Sequence, residues 1–132
     1  MREILFRGKR KKGDKRWVEG DLLHGYSGFV ITNRYYAGSS FEVVPETVGQ
    51  YTGLTDKNGK KIFEGDILSG HFDDLSPMFP TEESRGEVVW HDFGWHIKDS
   101  YGIDPADQKW IKRHYKVIGN IYDNPELMEV EE

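Results

Sequence analysis

Two histidines lie close enough together in this sequence to suggest metal binding. His91 and His96 are five residues apart, and an odd spacing along a strand puts two side chains on opposite faces. A hairpin whose three-residue loop ends at Gly94, in the left-handed conformation, also separates them. That hairpin places Trp90 opposite His96 and His91 opposite Trp95. The spacing therefore disfavours a metal site in this segment.

Acidic side chains occur in a repeated pattern that could provide a pair of acids. The pattern Glu-Gly-Asp-x-Leu-x-Gly begins at Glu19 and again at Glu64. Asp21 and Asp66 could act together in hydrolysis if the fold brought them into one cleft. An aspartate after a glycine more commonly bonds to nearby backbone amides and turns a corner in a small barrel. We therefore expect one structural corner used twice.

Other catalytic signatures are missing from the sequence. No serine lies in a Gly-x-Ser-x-Gly motif, and there is no glycine-rich phosphate loop. The chain has no cysteine, which excludes disulfides and thiolate ligands. His71 lies near Asp73 and Asp74 without a recognisable third ligand. The sequence thus predicts a protein that is not an enzyme and that carries no cofactor and no metal.

Basic and aromatic residues are the remaining candidates for a binding surface. Residues 1–16 carry a net charge of +6, although the whole chain has −5. Such a basic segment can bind phosphate, while lysines in a turn also simply remain solvated or protect a strand edge. Four tryptophans could offer a stacking platform, but those in alternating segments belong by default to the core. The candidate binding surface comprises Lys9, Arg10, Lys11, Lys12, Lys15, Arg16, Trp90 and His96.

Short strands and tight turns must position these residues. Segments 3–9 and 15–23 flank a polar turn at Lys11–Asp14 and predict a hairpin. The Asn58-Gly59 pair predicts a second hairpin between segments 47–52 and 61–70. Further strands are predicted at 29–32, 41–44, 87–91, 95–98 and 115–122.

The other segments predict a loop and short helical turns. Residues 72–86 have no periodic face and contain two prolines, so they predict a long loop, which is more often functional than idle. Asp104 followed by Pro105 resembles a helix start with Asp104 as the cap. Asn124 followed by Pro125 predicts one more helical turn before the acidic tail, residues 123–132. No apolar segment approaches the roughly 18 residues needed to span a membrane.

Several blocks of this sequence resemble the YopX-like family of phage and prophage proteins. The central block is Pro45 to Ile67, and it is joined by Ile4–Arg7 with Trp17–Gly20, by Gly86–Trp90 and by Val117–Leu127. The resemblance covers nearly the whole chain. It implies a mainly β fold, with a small SH3-like barrel, an additional N-terminal β-hairpin or sheet region and one or two short helical turns. It also implies a bacterial host cytoplasm, and it carries over no catalytic residue.

A single domain over residues 1–132 is expected, with an N-terminal β subregion at about 1–46, a barrel at about 47–122 and then the tail. The preferred function is a non-enzymatic module that binds a host or phage protein through the loop at 71–86 and nearby aromatic or basic residues. The alternative is nucleic-acid binding through the basic N-terminal hairpin. The sequence leaves the oligomeric state open.

Overall fold

Antiparallel β-sheet dominates the structure, a computed structural model that describes residues 2–26, 28–33, 39–71 and 83–129. The chain divides into two compact units, Met1–Gly53 and Leu54–Glu132. The described strands form two antiparallel sheets, which confirms the prediction of a mainly β protein. No helix in these ranges is long and apolar enough to cross a membrane.

The first unit is built from short strands joined by tight turns. Its strands are β1 (Phe6–Lys9), β2 (Trp17–Gly25), β3 (Gly28–Thr32), β4 (Ser40–Glu42) and β5 (Gly49–Thr55), whose last residues belong to the second unit. They hydrogen-bond in the order β4-β3-β2-β1-β5, and a 3₁₀ turn at Pro45–Thr47 precedes β5. The predicted first hairpin is confirmed, because β1 pairs with β2 around a turn in which Gly13 has φ +79°. Ile31 and Val43 are fully buried in this unit.

The second unit places one helix beside a five-stranded sheet. The unit begins with β6 (Lys61–Phe63), which is not part of that sheet. The five strands of the sheet are β7 (Asp66–Gly70), β8 (Ser84–His91), β9 (Gly94–Asp99), β10 (Gly102–Pro105) and β11 (Tyr115–Asn120). The sheet order is β10-β9-β8-β7-β11, and helix α1 spans Gln108–His114. The core cluster consists of Ile62, Leu68, Val88, Ile97, Ile111 and Tyr115. A 3₁₀ turn at Pro125–Met128 confirms the predicted helical turn after Asn124.

The Asn58-Gly59 turn is confirmed and is held by an acid that the sequence analysis did not single out. Gly59 has φ +79°, and the backbone N–H of Asp56 donates to the carbonyl of Lys60. The buried Asp56 carboxylate accepts hydrogen bonds from the N–H groups of Asn58 and Lys60, both at 2.9 Å. Its second oxygen accepts from Val117 N–H, also at 2.9 Å. One side chain therefore fixes both the turn and the last strand.

The two copies of the Glu-Gly-Asp pattern adopt different backbones, so the prediction of one shared corner is wrong. Gly20 lies inside β2, where its missing Cβ leaves room for the carbonyl oxygen of Thr32, 2.1 Å from where that atom would be. Gly65 instead lies in the turn between β6 and β7 and has φ +90°. Asp66, after it, is buried and accepts from Phe63 N–H at 2.8 Å, which is the local backbone bond expected of this aspartate.

Four other sequence expectations need correction or stay unconfirmed. Gly102–Pro105 forms an edge strand that was not predicted, and the helix is capped by Asp107 rather than Asp104. Ser84–Gly86 belongs to β8, so the predicted loop ends earlier, while residues 72–82 lie outside the described ranges. The described strands form open sheets and close no barrel, so the SH3-like detail is not confirmed. The proposed subdivision at about residue 46 stays a prediction.

Candidate functional site

The hairpin of β8 and β9 carries the aromatic and histidine candidates, and its register differs from the predicted one. Trp90 pairs with Trp95, and His91 pairs with Gly94. The loop therefore has two residues, Asp92 and Phe93, with φ +45° and +60°. Left-handed conformations at both loop residues define the type I′ turn that matches the twist of a two-residue hairpin. The predicted three-residue loop with a left-handed Gly94 is wrong.

This one-residue change moves the neighbouring side chains to different faces. Trp90 and Trp95 now share the face that packs on the core, with ring centroids 4.9 Å apart in an edge-to-face arrangement. His91 and His96 share the other face, with ring centroids 5.4 Å apart. Trp90 and His96, which were predicted to face each other, lie on opposite faces. The structure therefore brings together two pairs that the sequence analysis had separated.

The end of this hairpin exposes a group of aromatic rings that we call the aromatic tip, defined as Trp90, Phe93 and Trp95. Trp95 packs against the core cluster. Trp90 is 55% exposed and Phe93 is 95% exposed. An aromatic ring anchored by its buried neighbour and open on its other side can enter an apolar pocket of a partner.

Phe93 combines full exposure with an unfavourable backbone conformation. A left-handed φ costs a residue with a Cβ atom about 1–2 kcal/mol, and turns of this type prefer Asn-Gly or Asp-Gly. Burial in the described structure does not compensate, because the ring faces solvent. The sequence analysis missed Phe93, since it treated the segment from Asp92 to Gly94 as an ordinary loop. The sequence did contain a signal for a two-residue loop at Asp92 and Phe93, because Trp90 lies two residues before this loop and Trp95 two residues after it.

The basic N-terminal candidates lie on the β1–β2 turn of the first unit, together with an acid. Lys11, Lys12, Lys15 and Arg16 are exposed. Asp14 accepts ion pairs from Arg10 at 3.4 Å and from Arg16 at 3.7 Å. Part of the positive charge is thus balanced inside the turn, and the two lysines at its start extend into solvent.

Cations and aromatic rings are in contact beside that turn. The guanidinium of Arg7 lies 4.7 Å from the centre of the Trp17 ring, and the ammonium of Lys9 lies 6.0 Å from it. Arg10 lies 4.5 Å from the ring of Phe41. Lys9 and Trp17 face each other in the β1–β2 register. The basic surface therefore includes Trp17, which the sequence analysis assigned to the core by default and named as part of a possible stacking platform.

An open groove of about 490 Å³ lies between helix α1 and the β9–β10 edge. Asp99 and Asp107 line it, but Asp99 accepts from two backbone N–H groups of the next turn and Asp107 caps the helix. Burial raises the pKa of Tyr115, whose hydroxyl bonds to Ser84. The groove is lined by bases as well as acids, and the carboxylates of Asp99 and Asp107 have structural roles.

Side chains that could bind a metal form no group larger than a pair within the part of the chain that the structure describes. No set of three or more histidine, aspartate or glutamate side chains is arranged there to hold an ion. His71 is exposed at the end of β7, and its predicted neighbours Asp73 and Asp74 lie outside the described residues. Asp21 is exposed in the first unit, whereas Asp66 is buried in the second.

The described fold defines a class of antiparallel two-sheet proteins with a single short helix beside the second sheet. A family model described as YopX protein matches residues 5–129. Because that match spans nearly all of the sequence, the chain belongs to the YopX family.

Two solved structures resemble this one over their full lengths. Protein EF1440 from Enterococcus faecalis has a TM-score of 0.62 and 28% identity, with 96% of this chain and 99% of that chain covered. YopX from Bacillus subtilis has a TM-score of 0.59 and 20% identity, with both chains covered completely. No curated protein sequence matches the chain. The likeness to the Bacillus protein supports the fold alone.

Proposed function

We propose that this chain is a non-enzymatic protein-binding module that contacts its partner through the aromatic tip. The observation that carries the proposal is Phe93, a ring that is 95% exposed on a backbone with φ +60°. Strain of this kind concentrates at functional positions, where it is tolerated for what the residue does. An exposed aromatic side chain in a rigid turn is a typical anchor at a protein interface.

The surroundings of Phe93 indicate what kind of surface it fits. Trp90 and Trp95 form an edge-to-face pair on the strands that flank its turn, so the partner meets a firm apolar pair with little side-chain entropy to lose. Asp92 in the same turn is exposed and adds one negative charge. A complementary partner offers an apolar pocket with a basic or polar rim. We propose a host or phage protein in the bacterial cytoplasm as that partner.

The predicted loop at 71–86 remains part of this proposal as an additional contact segment. Of this segment, His71 and residues 83–86 are described, with Ser84–Gly86 in β8, and residues 72–82 are not. The proposal assigns no reaction to the chain, and it requires neither a cofactor nor a metal.

Site-specific photo-crosslinking tests the proposal directly. A photoreactive phenylalanine at position 93 should give one discrete protein adduct in bacterial cells that carry the phage or prophage. The matched control places the same group at Tyr101, which is 97% exposed in the turn at the other end of β9. Adducts that are missing at position 93, or identical from both positions, would contradict the proposal.

A second variant separates binding from folding. Phe93→Gly relieves the left-handed strain, so its free energy of unfolding should rise by about 1 kcal/mol. Excess unlabelled wild-type protein should compete away the adduct formed at position 93, and excess Phe93→Gly protein should not. A variant that is more stable and still competes fully would show that the ring does not bind the partner.

Nucleic-acid binding is the second candidate, and the contacts around Trp17 favour it. Arg7 and Lys9 are held over or near that ring, beside the exposed lysines of the turn. Proteins that bind single strands combine such a basic surface with stacked aromatic side chains. Acidic residues of the same hairpin, Glu19 on β2 and Asp14 in the turn, oppose it. It therefore stays behind the protein-binding proposal.

A further inference from the structure

We propose that His91 and His96 form a two-histidine binding site for a divalent late first-row transition metal, with water completing the coordination. The pair lies on the face of the β8–β9 hairpin opposite Trp90 and Trp95. The inference does not depend on the protein-binding proposal. It begins from the register, because the two-residue loop is what places both imidazoles on one face.

The distance between the rings fits one shared ion. A metal–nitrogen bond to histidine is about 2.0–2.1 Å, which puts the ring centre roughly 3.2 Å from the metal. Two such rings at a tetrahedral angle have centres roughly 5.2 Å apart. The observed separation is 5.4 Å, with the ring planes at 87°. The separation of the ring centres therefore allows one shared ion once the side chains rotate to aim one nitrogen of each ring at a common point.

Each ring also has its other nitrogen in contact with an oxygen. Nδ1 of His96 lies 3.0 Å from the carbonyl oxygen of Gly94, which accepts a hydrogen bond from the tautomer protonated at Nδ1. Nε2 of His91 lies 3.4 Å from the Asp92 carboxylate. Histidine ligands of metals typically donate their second N–H to a carbonyl or a carboxylate in this way. In the neutral tautomers that carry the proton at these contacting nitrogens, Nε2 of His96 and Nδ1 of His91 have the lone pairs that bind metal.

The chemistry of the donors sets the class of ion. Imidazole suits Zn²⁺, Cu²⁺ and Ni²⁺ and is a poor ligand for Mg²⁺ and Ca²⁺. No third protein ligand joins the pair within the described part of the chain. Such a site is open and exchangeable, since water holds the remaining positions. Because the metal competes with protons for the rings, binding should weaken in acid.

Calorimetric titration of the full chain with Zn²⁺ tests the site. We expect one saturable equivalent whose dissociation constant becomes at least tenfold weaker in His91→Ala and in His96→Ala. The matched controls are His24→Ala and His71→Ala, which remove exposed histidines elsewhere and should leave the constant unchanged. Binding that survives the double variant His91→Ala/His96→Ala, or that is lost equally in a control, would overturn the proposal.

Electron paramagnetic resonance with Cu²⁺ provides a second readout that counts the ligands. One equivalent of Cu²⁺ should show two imidazole nitrogens in the wild type and one in each single variant. His91 is nearly half exposed, so His91→Ala should fold normally, and thermal unfolding in a chelator should match that of the wild type. A wild-type spectrum with fewer than two imidazole nitrogens would refute the shared site.

Discussion

At the scale of single residues, Asp56 has the largest structural role of any side chain described here. Its carboxylate accepts from the N–H groups of Asn58, Lys60 and Val117 while being 1% exposed. A buried N–H that loses its acceptor keeps its full desolvation cost. The sequence could not reveal this role, because Val117 is 61 residues away.

Asp56→Ala should therefore lower the free energy of unfolding by about 3 kcal/mol, since it orphans three buried or partly buried donors. Asp56→Asn should have a smaller effect, because its amide oxygen still accepts from the turn while its NH₂ group cannot accept from Val117. Urea unfolding of the wild type, Asp56→Ala and Asp56→Asn measures both losses of stability. Equal stability of Asp56→Asn and the wild type would show that the link to Val117 contributes nothing, and equal stability of the two variants would show the same of the two turn bonds.

Two glutamates at the start of β8 should respond to acid in opposite directions. Hydrogen bonds from Arg85 and Ser69 lower the pKa of Glu83 to about 2, whereas burial raises the pKa of Glu87. The stability from Glu83 is present above the ordinary carboxyl pKa of 4.5 and is lost as the pH falls toward 2. Because the folded state binds the proton of Glu87 more tightly than the unfolded state does, the contribution of Glu87 to the free energy of unfolding increases as the pH falls.

Urea unfolding at pH 6 and pH 3.5 checks this sign. Glu83→Gln should reduce the loss of stability between the two pH values, by less than about 1 kcal/mol because the side chain is one-third exposed. Glu87→Gln should increase that loss. Changes of the same sign in both variants would contradict the assignment.

At the scale of elements, the helix start and the hairpin register show what a sequence specifies locally. The Asn58-Gly59 turn was predictable, because a left-handed glycine is needed at a defined place. Asp104 resembled a cap because proline follows it, yet Gly102–Pro105 pairs with β9 as an edge strand, where proline is tolerated. Local backbone preference argues against the β8–β9 register, since that register requires a left-handed phenylalanine, and the symmetric spacing of Trp90 and Trp95 about the loop is the sequence signal in its favour.

Helix α1 provides a direct test of this point. Asp107 accepts from the N–H groups of Lys109 and Trp110, so Asp107→Ala should cost about 1 kcal/mol of stability. Asp104→Ala is the matched control and should change stability by less than about 0.5 kcal/mol, because Asp104 caps nothing. The measurement is chemical denaturation of both variants at neutral pH. A larger loss in Asp104→Ala would restore the cap suggested by the sequence.

At the scale of the whole molecule, the uneven distribution of charge provides a test between the two candidate functions. The net charge is −5, and the basic turn of the first unit is the exception. Positions in two different units cannot be related by sequence pattern alone, so the predicted surface that joined the basic turn to Trp90 and His96 stays untested. The charge itself can be tested in solution.

Lys11→Glu/Lys12→Glu should leave the adduct at position 93 unchanged. If nucleic acid were the ligand, this variant would abolish binding to single- and double-stranded oligonucleotides, and wild-type affinity would fall steeply between 50 and 200 mM salt. Lys57→Glu/Lys60→Glu makes the same charge change in the other exposed turn and serves as the control. Fluorescence anisotropy at both salt concentrations measures the difference. We expect weak oligonucleotide binding that both variants reduce equally.

The position of β11 has a consequence for synthesis of the protein. β7 lies between β8 and β11, so one of its edges is satisfied only by the final strand. At 5–20 residues per second, a ribosome needs roughly 2–9 s to progress from Gly70 to Tyr115. During that interval the nascent chain exposes an unpaired apolar strand containing Ile67 and Leu68, which is the kind of segment that chaperones bind.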